Sequence, residues 1–348
     1  MKRLLLLLLA VPAFAAIPAD KPSPEPGFVG GEFIFDAAPF PSCHASTIVE
    51  TKSGLVAAWF GGTKEGAPDV GIWLARQING QWTAPVEVAN YVRGDGQHFA
   101  CFNPVLFLPK NGPLLLFYKA GGNPTGWSAF LKTSTDDGAT WSAATPLPEG
   151  FVGPVKNKPV QMSDGSILCG SSIETGDKKW RVQFERTADL GKTWTKTDFL
   201  NDGLEISAIQ PSILFLGGDK LLAVGRTRQS RIFQIASDDA GKSWGRMTLT
   251  DLPNPNSGTD AVTLRDGRHM LVYNHTAKGR SPLNVAVSTD GQAWQAALVL
   301  ESEPGEYSYP AVIQTSDGLV HSVYTWKRQR IKHVVIDPTK LVLTPLIP

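Results

Sequence analysis

Two short apolar runs joined by a tight turn recur six times along the chain, as HASTIVETKSGLVAAWF, NPVLFLPKNGPLLLFY, KPVQMSDGSILCGSS, QPSILFLGGDKLLAVGR, DAVTLRDGRHMLVYNH and YPAVIQTSDGLVHSVYTW. Asn-Gly, Asp-Gly and Gly-Gly pairs at the junctions supply the positive φ that tight hairpin turns need, and the flanking runs are rich in β-branched and aromatic residues. After the first residues no stretch sustains the apolar period of an amphipathic helix. The pattern predicts a chain built almost wholly of β-hairpins.

A second element lies between these hairpins. STDDGATW ends at Trp141, and TADLGKTW, ASDDAGKSW and the shorter STDGQAW end at Trp194, Trp244 and Trp294, so the spacings are 53, 50 and 50 residues. Asp136 and Asp137 beside hydroxyls and a tryptophan would suit hydrolysis or a metal, but a catalytic group occurs once and a repeated device is structural. Its letters describe a turn in which Asp and Ser bond turn amides, Gly takes the left-handed position and Trp covers the hairpin. Six units of roughly 50 residues, each worth four strands, match propeller blades. The expected fold is therefore all-β, a six-bladed β-propeller in one domain over 31–348. The sixth unit lacks a Trp-turn, and GEFIFDA, ahead of the first hairpin, is the β-rich segment left to supply its outer strand. The ring is expected to close by pairing of the two ends of the chain in one blade.

The N-terminus is of another kind. Lys2 and Arg3 precede an apolar run too short to span a bilayer, followed by Ala13-x-Ala15, which reads as a signal peptide over 1–15 and a linker over 16–30. The expected location is periplasmic or extracellular, without membrane insertion. Without Lys2 and Arg3 the 33 basic residues become 31 against 32 acidic ones, a net charge of −1 that gives no footprint for nucleic acid. Cys43, Cys101 and Cys169 cannot all pair within one chain and fit no zinc spacing. A Cys43–Cys101 bridge and separate buried thiols both stay open. No metal or other cofactor is expected, and a monomer is.

A six-unit β-chain with Ser-x-Asp-x-Gly-x-Thr-Trp turns resembles the sialidase (neuraminidase) superfamily with its Asp-box or BNR repeats. CHASTIVE, WFGGTKEGAPDVGIW, GPVKNKPVQMSDG and YPAVIQTSDG narrow the resemblance to the bacterial and plant branch of predicted neuraminidases. In a propeller the innermost strand of each blade lines the axis. Aligning the six hairpins on its entry end gives His44, Asn103, Lys158, Gln210, Asp260 and Tyr309, one polar residue per blade, expected to face a shared funnel.

The resemblance implies a glycosidase site: three arginines on a sugar carboxylate, an Asp as acid/base, and a Tyr nucleophile partnered by a Glu. Asp69 matches the loop that carries the acid, with Glu65 as competitor, and Tyr309 stands eight residues before Asp317, as the nucleophile does before its Asp-Gly. Arg226 and Arg280 match the second and third arginines. Cys43-His44 replaces the first, and Gln210 replaces the Glu. These departures imply a secreted exo-acting glycoside hydrolase for a terminal sugar other than sialic acid, a uronic or deoxy sugar among them. In that scheme Asp69, its pKa raised by Ala67, Pro68 and Val70, protonates the leaving oxygen. Asp260 takes the place of the missing glutamate beside Tyr309 or activates water. His44 is a pH-dependent donor in place of the lost arginine, while Asn103, Lys158, Gln210, Arg226 and Arg280 hold the sugar. A non-catalytic glycan-binding propeller, and a polysaccharide lyase using a His or Tyr base, are the alternative readings.

Overall fold

The computed structural model describes residues 25–122 and 124–346, so the signal-peptide reading and most of the linker lie outside the described residues. Six antiparallel sheets follow one another around a ring as the blades of a β-propeller. From the axis outward, blade 1 comprises Ser42–Thr51, Gly54–Gly62 and Gly71–Ile78, with Gln81–Trp82 and Val86–Ala89 at its edge. Blade 2 comprises Cys101–Phe107, Leu114–Ala120, Ser128–Ser134 and Thr145–Pro146, and blade 3 Val160–Gln161, Ile167–Glu174, Trp180–Thr187 and Thr195–Lys196. Blade 4 is Ala208–Gly217, Lys220–Thr227, Arg231–Ser237 and Thr248–Pro253. Blade 5 is Asp260–Thr263, His269–Tyr273, Leu283–Ser288 and Trp294–Glu301, extended by Thr344–Pro345. There is no α-helix among the described residues.

Blade 6 contains Tyr307–Gln314, Val320–Trp326 and Arg330–Ile336, and its fourth strand, Phe28–Phe33, comes from the other end of the chain. Glu32 registers against His333 and Phe33 against Lys332. The strand begins three residues before the GEFIFDA segment, and the Ile34 N–H adds a last bond to the Ile331 carbonyl at 3.0 Å. Side chains reinforce the closure: His333 Nδ1 lies 3.1 Å from Glu32 Oε1, and His333 Nε2 lies 2.8 Å from His321 Nδ1.

The near-continuous apolar runs follow from burial on both faces of each sheet. Successive side chains of a strand point to opposite faces, and in this ring each face is a different interface. Along Lys220–Thr227, Leu221 and Ala223 enter the core shared with blade 3, while Leu222 and Val224 enter the core shared with blade 5. Among the described residues six such cores occur, each filling one gap between adjacent blades. Cys43 lies in the core between blades 6 and 1, and Cys101 in the core between blades 1 and 2. The sheet of blade 1 thus separates them, and all three cysteines are single buried thiols.

The repeated Trp-turns join the third and fourth strands, at the ends of the blades away from the entry ends of the inner strands. In the first, Asp136 Oδ1 accepts from the Thr140 N–H at 2.8 Å and Oδ2 from the Thr140 hydroxyl at 2.6 Å, while Ser134 Oγ accepts from the Gly138 N–H at 2.8 Å. Gly138 has φ +82, where a side chain would be strained. The tryptophan reaches the preceding blade. Trp244 stacks on Phe184 with centroids 3.8 Å apart, and Trp194 meets Phe117 edge-on at 6.1 Å. Asp136 and Asp137 are thus turn residues, as their repetition predicts.

Trp194 is 9% exposed and belongs to the core between blades 2 and 3. Trp194→Ala is expected to destabilise the fold by about 3–5 kcal/mol, as large aromatic truncations in cores do, measured by denaturant unfolding.

Candidate functional site

The inner strands of four blades are interrupted by a two-residue bulge at their entry end, marked by shifts in register after His44, Phe102, Ile209 and Ser308. The first bulge residues are Ala45, Asn103, Gln210 and Tyr309, with φ of 56, 41, 59 and 53°. A non-glycine residue held there costs about 1–3 kcal/mol and persists only where its surroundings impose it. In blade 1 the bulge position is Ala45, one residue beyond the one that the sequence alignment selects. His44 therefore sits behind the funnel surface, 1% exposed, its Nδ1 2.8 Å from Thr325 Oγ1.

Asn103, Gln210 and Tyr309 do converge. With Glu65, Gly66, Phe102, Gly122, Pro124, Trp127 and Glu174 they line a recess of about 230 Å³ at the funnel mouth. Larger recesses of about 580 and 910 Å³ lie at the far end of blades 6 and 1 and along the outer edges of blades 4 and 5, away from these residues.

Tyr309 stands among cations. Arg226, from the end of the second strand of blade 4, donates from Nη2 to the Tyr309 oxygen at 2.9 Å and from Nη1 to the Asn256 carbonyl at 3.1 Å. The Arg226 and Arg280 guanidinium carbons lie 5.2 and 5.6 Å from the Tyr309 ring centroid. The His44 ring is 4.1 Å away. Burial, followed by the charges of Arg328, Arg280, Arg226 and Lys156, holds the His44 pKa well below its ordinary value, so His44 is a neutral packing partner and not a pH-dependent donor.

A chain of charges leads away from Glu65 of the recess. Arg328 donates from Nη1 to Glu65 Oε2 at 2.6 Å and from Nε to Glu306 Oε1 at 3.0 Å, and Glu306 Oε1 also accepts from Arg280 Nη1 at 2.8 Å and Ser308 Oγ at 2.8 Å. Arg328, Glu306 and Glu174 are absent from the sequence-derived set. Arg328 occupies a hairpin turn with Lys327, both at positive φ, where a Lys-Arg pair carries no turn signal. Asp69 does not line the recess. Its Oδ2 accepts from the Thr63 hydroxyl at 2.6 Å and the Thr63 N–H at 2.9 Å, which together hold the carboxyl below its usual range. That is opposite to the rise expected from Ala67, Pro68 and Val70; Glu65 is the acidic side chain of this loop that lines the recess.

Asp260 and Lys158 lie deeper along the axis. Asp260 is 1% exposed; its Oδ2 is 2.8 Å from Lys158 Nζ and accepts from the Val312 N–H at 2.8 Å, and its Oδ1 accepts from Ser212 Oγ at 2.9 Å. Lys158 opens toward the opposite mouth, beside Ile48, Glu50, Leu106 and Gln314. The paired inner strands of blades 3 and 5 begin only at Val160 and Asp260 and show no register shift, and the aligned residues fall below the funnel floor. Neither touches the recess. Among the described residues no group of three or more His, Cys, Asp or Glu is arranged to hold a metal ion.

The sequence pattern of the BNR repeat-like domain matches residues 53–322. A sialidase of Bacteroides fragilis is 24% identical over 238 residues, which is 61% of this chain and 41% of the relative; the chain thus spans about two-fifths of that protein. Three solved structures superpose over most of the chain. A protein of unknown function from Dyadobacter fermentans has a TM-score of 0.74 at 16% identity, covering 92% of this chain and all of that one. The NanB sialidase of Streptococcus pneumoniae has a TM-score of 0.74 at 12% identity, covering 94% and 72%. The sialidase of Trypanosoma rangeli has 0.69 at 14%, covering 86% and 55%. At these identities the likeness is one of fold.

The buried Asp260 network makes a measurable distinction between support and chemistry. Asp260→Ala leaves Lys158 without its carboxylate and the Val312 N–H unmatched, and is expected to cost about 3–5 kcal/mol of stability, read by denaturant unfolding. The His44 ring signals are expected to show no titration between about pH 5 and pH 8, where an unperturbed imidazole titrates, checked by NMR.

Proposed function

As the chain belongs to the BNR repeat-like domain family, we propose that its funnel processes the terminal sugar of a glycan, as an exo-acting glycoside hydrolase for a sugar bearing a carboxylate. The observation that carries this reading is the grouping of Arg226, Arg280 and Arg328 around Tyr309 and Glu306. Guanidinium groups present paired donors matched to a carboxylate, and such charge-assisted bonds are among the strong ones. Arg328, from blade 6, supplies the third cation that Cys43-His44 of blade 1 does not.

Glu65 is the acid in this reading, because it lines the recess and Asp69 does not. Tyr309 is the nucleophile. Arginine only donates hydrogen bonds, so the Tyr309 oxygen is the acceptor in its contact with Arg226. Asp260 supports the strand beneath and does not contact sugar. Asn103, Gln210, Glu174 and Trp127 supply polar and aromatic surface to the remainder of the sugar. The reading of residues 1–15 as a signal peptide supports a periplasmic or extracellular location for this activity.

One observation favours a second reading. Among the described residues no carboxylate hydrogen-bonds to the Tyr309 hydroxyl, whose partner is a cation. A tyrosine held by arginine, next to a carboxylate clamp, also suits proton abstraction beside the carboxylate of a uronic acid, the opening step of a lyase.

Product analysis separates these readings: purified protein is assayed on aryl glycosides and on uronate-containing polysaccharides, with release of free sugar and formation of unsaturated product followed together. Free sugar supports hydrolysis, unsaturated product supports the lyase, and binding without either supports a glycan-binding propeller. Glu65→Gln is expected to lower turnover by at least ~10² at unchanged melting temperature, while Asp69→Asn stays within a few-fold. Arg328→Ala is expected to raise KM for the acidic sugar by roughly 10- to 100-fold, the loss of a charged hydrogen bond.

A further inference from the structure

Lys156 is 3% exposed and lies close beneath Tyr309, its Nζ 5.8 Å from the ring centroid. All three of its ammonium hydrogens have acceptors. Nζ donates to Asn157 Oδ1 at 2.9 Å, to the Thr259 carbonyl at 2.8 Å and to the Pro310 carbonyl. The first bond stays within blade 3, the second reaches blade 5, and the third reaches blade 6 at the residue after Tyr309. Asp260 holds the same strand two residues past the bulge, through the Val312 N–H. Gly258 leaves room for the contact, since a Cβ there would lie 3.1 Å from both Lys156 Cε and Tyr309 Cδ2.

We propose that Lys156 is the positioning residue for Tyr309, and that the site is organised only while Lys156 keeps its proton, because only an ammonium can satisfy Asn157, Thr259 and Pro310 together. This rests on the reading of Tyr309 as the residue that acts on the sugar. A neutral amine has two N–H groups, so one buried acceptor is released, and an unmatched buried carbonyl is unfavourable. Release of Pro310 frees the bulge that aims Tyr309 into the recess.

The charged and titratable groups facing Lys156 are Asp260 and Lys158 along the axis, Arg226 and Tyr309 toward the funnel, and His44 from blade 1. Burial, opposed by the charge of Asp260 and assisted by those of Lys158 and Arg226, brings the Lys156 pKa from 10.5 down to about 7. The folded pKa is thus below the unfolded one, so the unfolded chain binds more protons between the two, and loss of the Lys156 proton stabilises the fold as pH rises through that window. Loss of Tyr309 order on the alkaline side is therefore separable from unfolding.

The test needs no substrate. Protein labelled in its tyrosine rings and lysine side chains is followed by NMR from about pH 5 to about pH 9, below the ordinary ionisation of tyrosine. Tyr309 is assigned with Tyr309→Phe and Lys156 with Lys156→Met, and melting temperature is recorded at each pH. The expected result is a Tyr309 ring shift with the same midpoint as the Lys156 signal, absent from Lys156→Met. A Tyr309 ring that does not move in the native protein, or moves equally in Lys156→Met, overturns the proposal. Should Lys156→Met not fold, Lys156→Gln takes its place in both uses. Should neither fold, the native lysine signals decide: one that titrates with Tyr309 supports the proposal, and none titrating before pH 9 overturns it. Absence of hydrolysis leaves this result standing, and absence of the shift leaves the hydrolase reading standing, so the two fail separately.

Discussion

Every blade is covered on both faces, and this constraint organises the rest of the molecule. Adjacent side chains of one strand serve different cores, as Leu221 and Leu222 do, so no blade has a solvent face on which to place chemistry. What remains is the axis, where inner strands converge, and the loops at its mouths. Polar groups that reach a buried axis must be paired. Here Asp260, Lys158, Lys156 and Asn157 pair across blades 3, 4, 5 and 6. The funnel floor is consequently a cross-linked polar layer, and the groups above it are held from below as well as from the sides.

The bulges turn that layer into a site. Without them the inner strands would run straight past the funnel, as in blades 3 and 5, whose aligned residues Lys158 and Asp260 end up in the floor. With them Asn103, Gln210 and Tyr309 turn into the recess. Two arginines and a buried lysine pack about the Tyr309 ring, Arg328 pairs with Glu65 and Glu306, and Glu65 and Glu174 line the recess itself. The fold alone says little about activity, since one propeller supports many functions.

Much of this was legible in the sequence. The repeated Trp-turns and hairpin pairs specify blade number, the two-sided apolar runs specify burial, and the unpaired last unit specifies closure by the other end of the chain. The site was legible only as far as the hairpin repeats share one register. Pro after Asn103, Gln210 and Tyr309 coincides with the bulge, but Pro159 follows Lys158 without one, and HAS in blade 1 has no Pro to mark Ala45. A bulge shifts register by a residue and leaves no dependable letter. Asp69 and Glu65 share one loop, and only the folded structure separates them, with Asp69 bonded to Thr63 and Glu65 paired with Arg328 at the recess. Arg328 sat in a turn without glycine, and Lys156 in a segment read for its neighbour Lys158.

The pairing of Phe28–Phe33 with Arg330–Ile336 bears on how the molecule is made. Glu32 and His333 meet across 301 residues, while hairpins within a blade close over a few. Loop-closure entropy grows slowly with length, by about 0.6 kcal/mol per doubling, so the contact is affordable at equilibrium. It is kinetically late, because contacts of long sequence separation form slowly. A chain emerging from the ribosome can build blades 1 to 5 in order, each against its predecessor. Until the final strands arrive, blade 1 presents an uncovered apolar face and the Phe28–Phe33 segment has no partner, the kind of surface on which nascent chains associate wrongly. The closure that secures the finished ring thus also sets the interval during which the unfinished one needs protection.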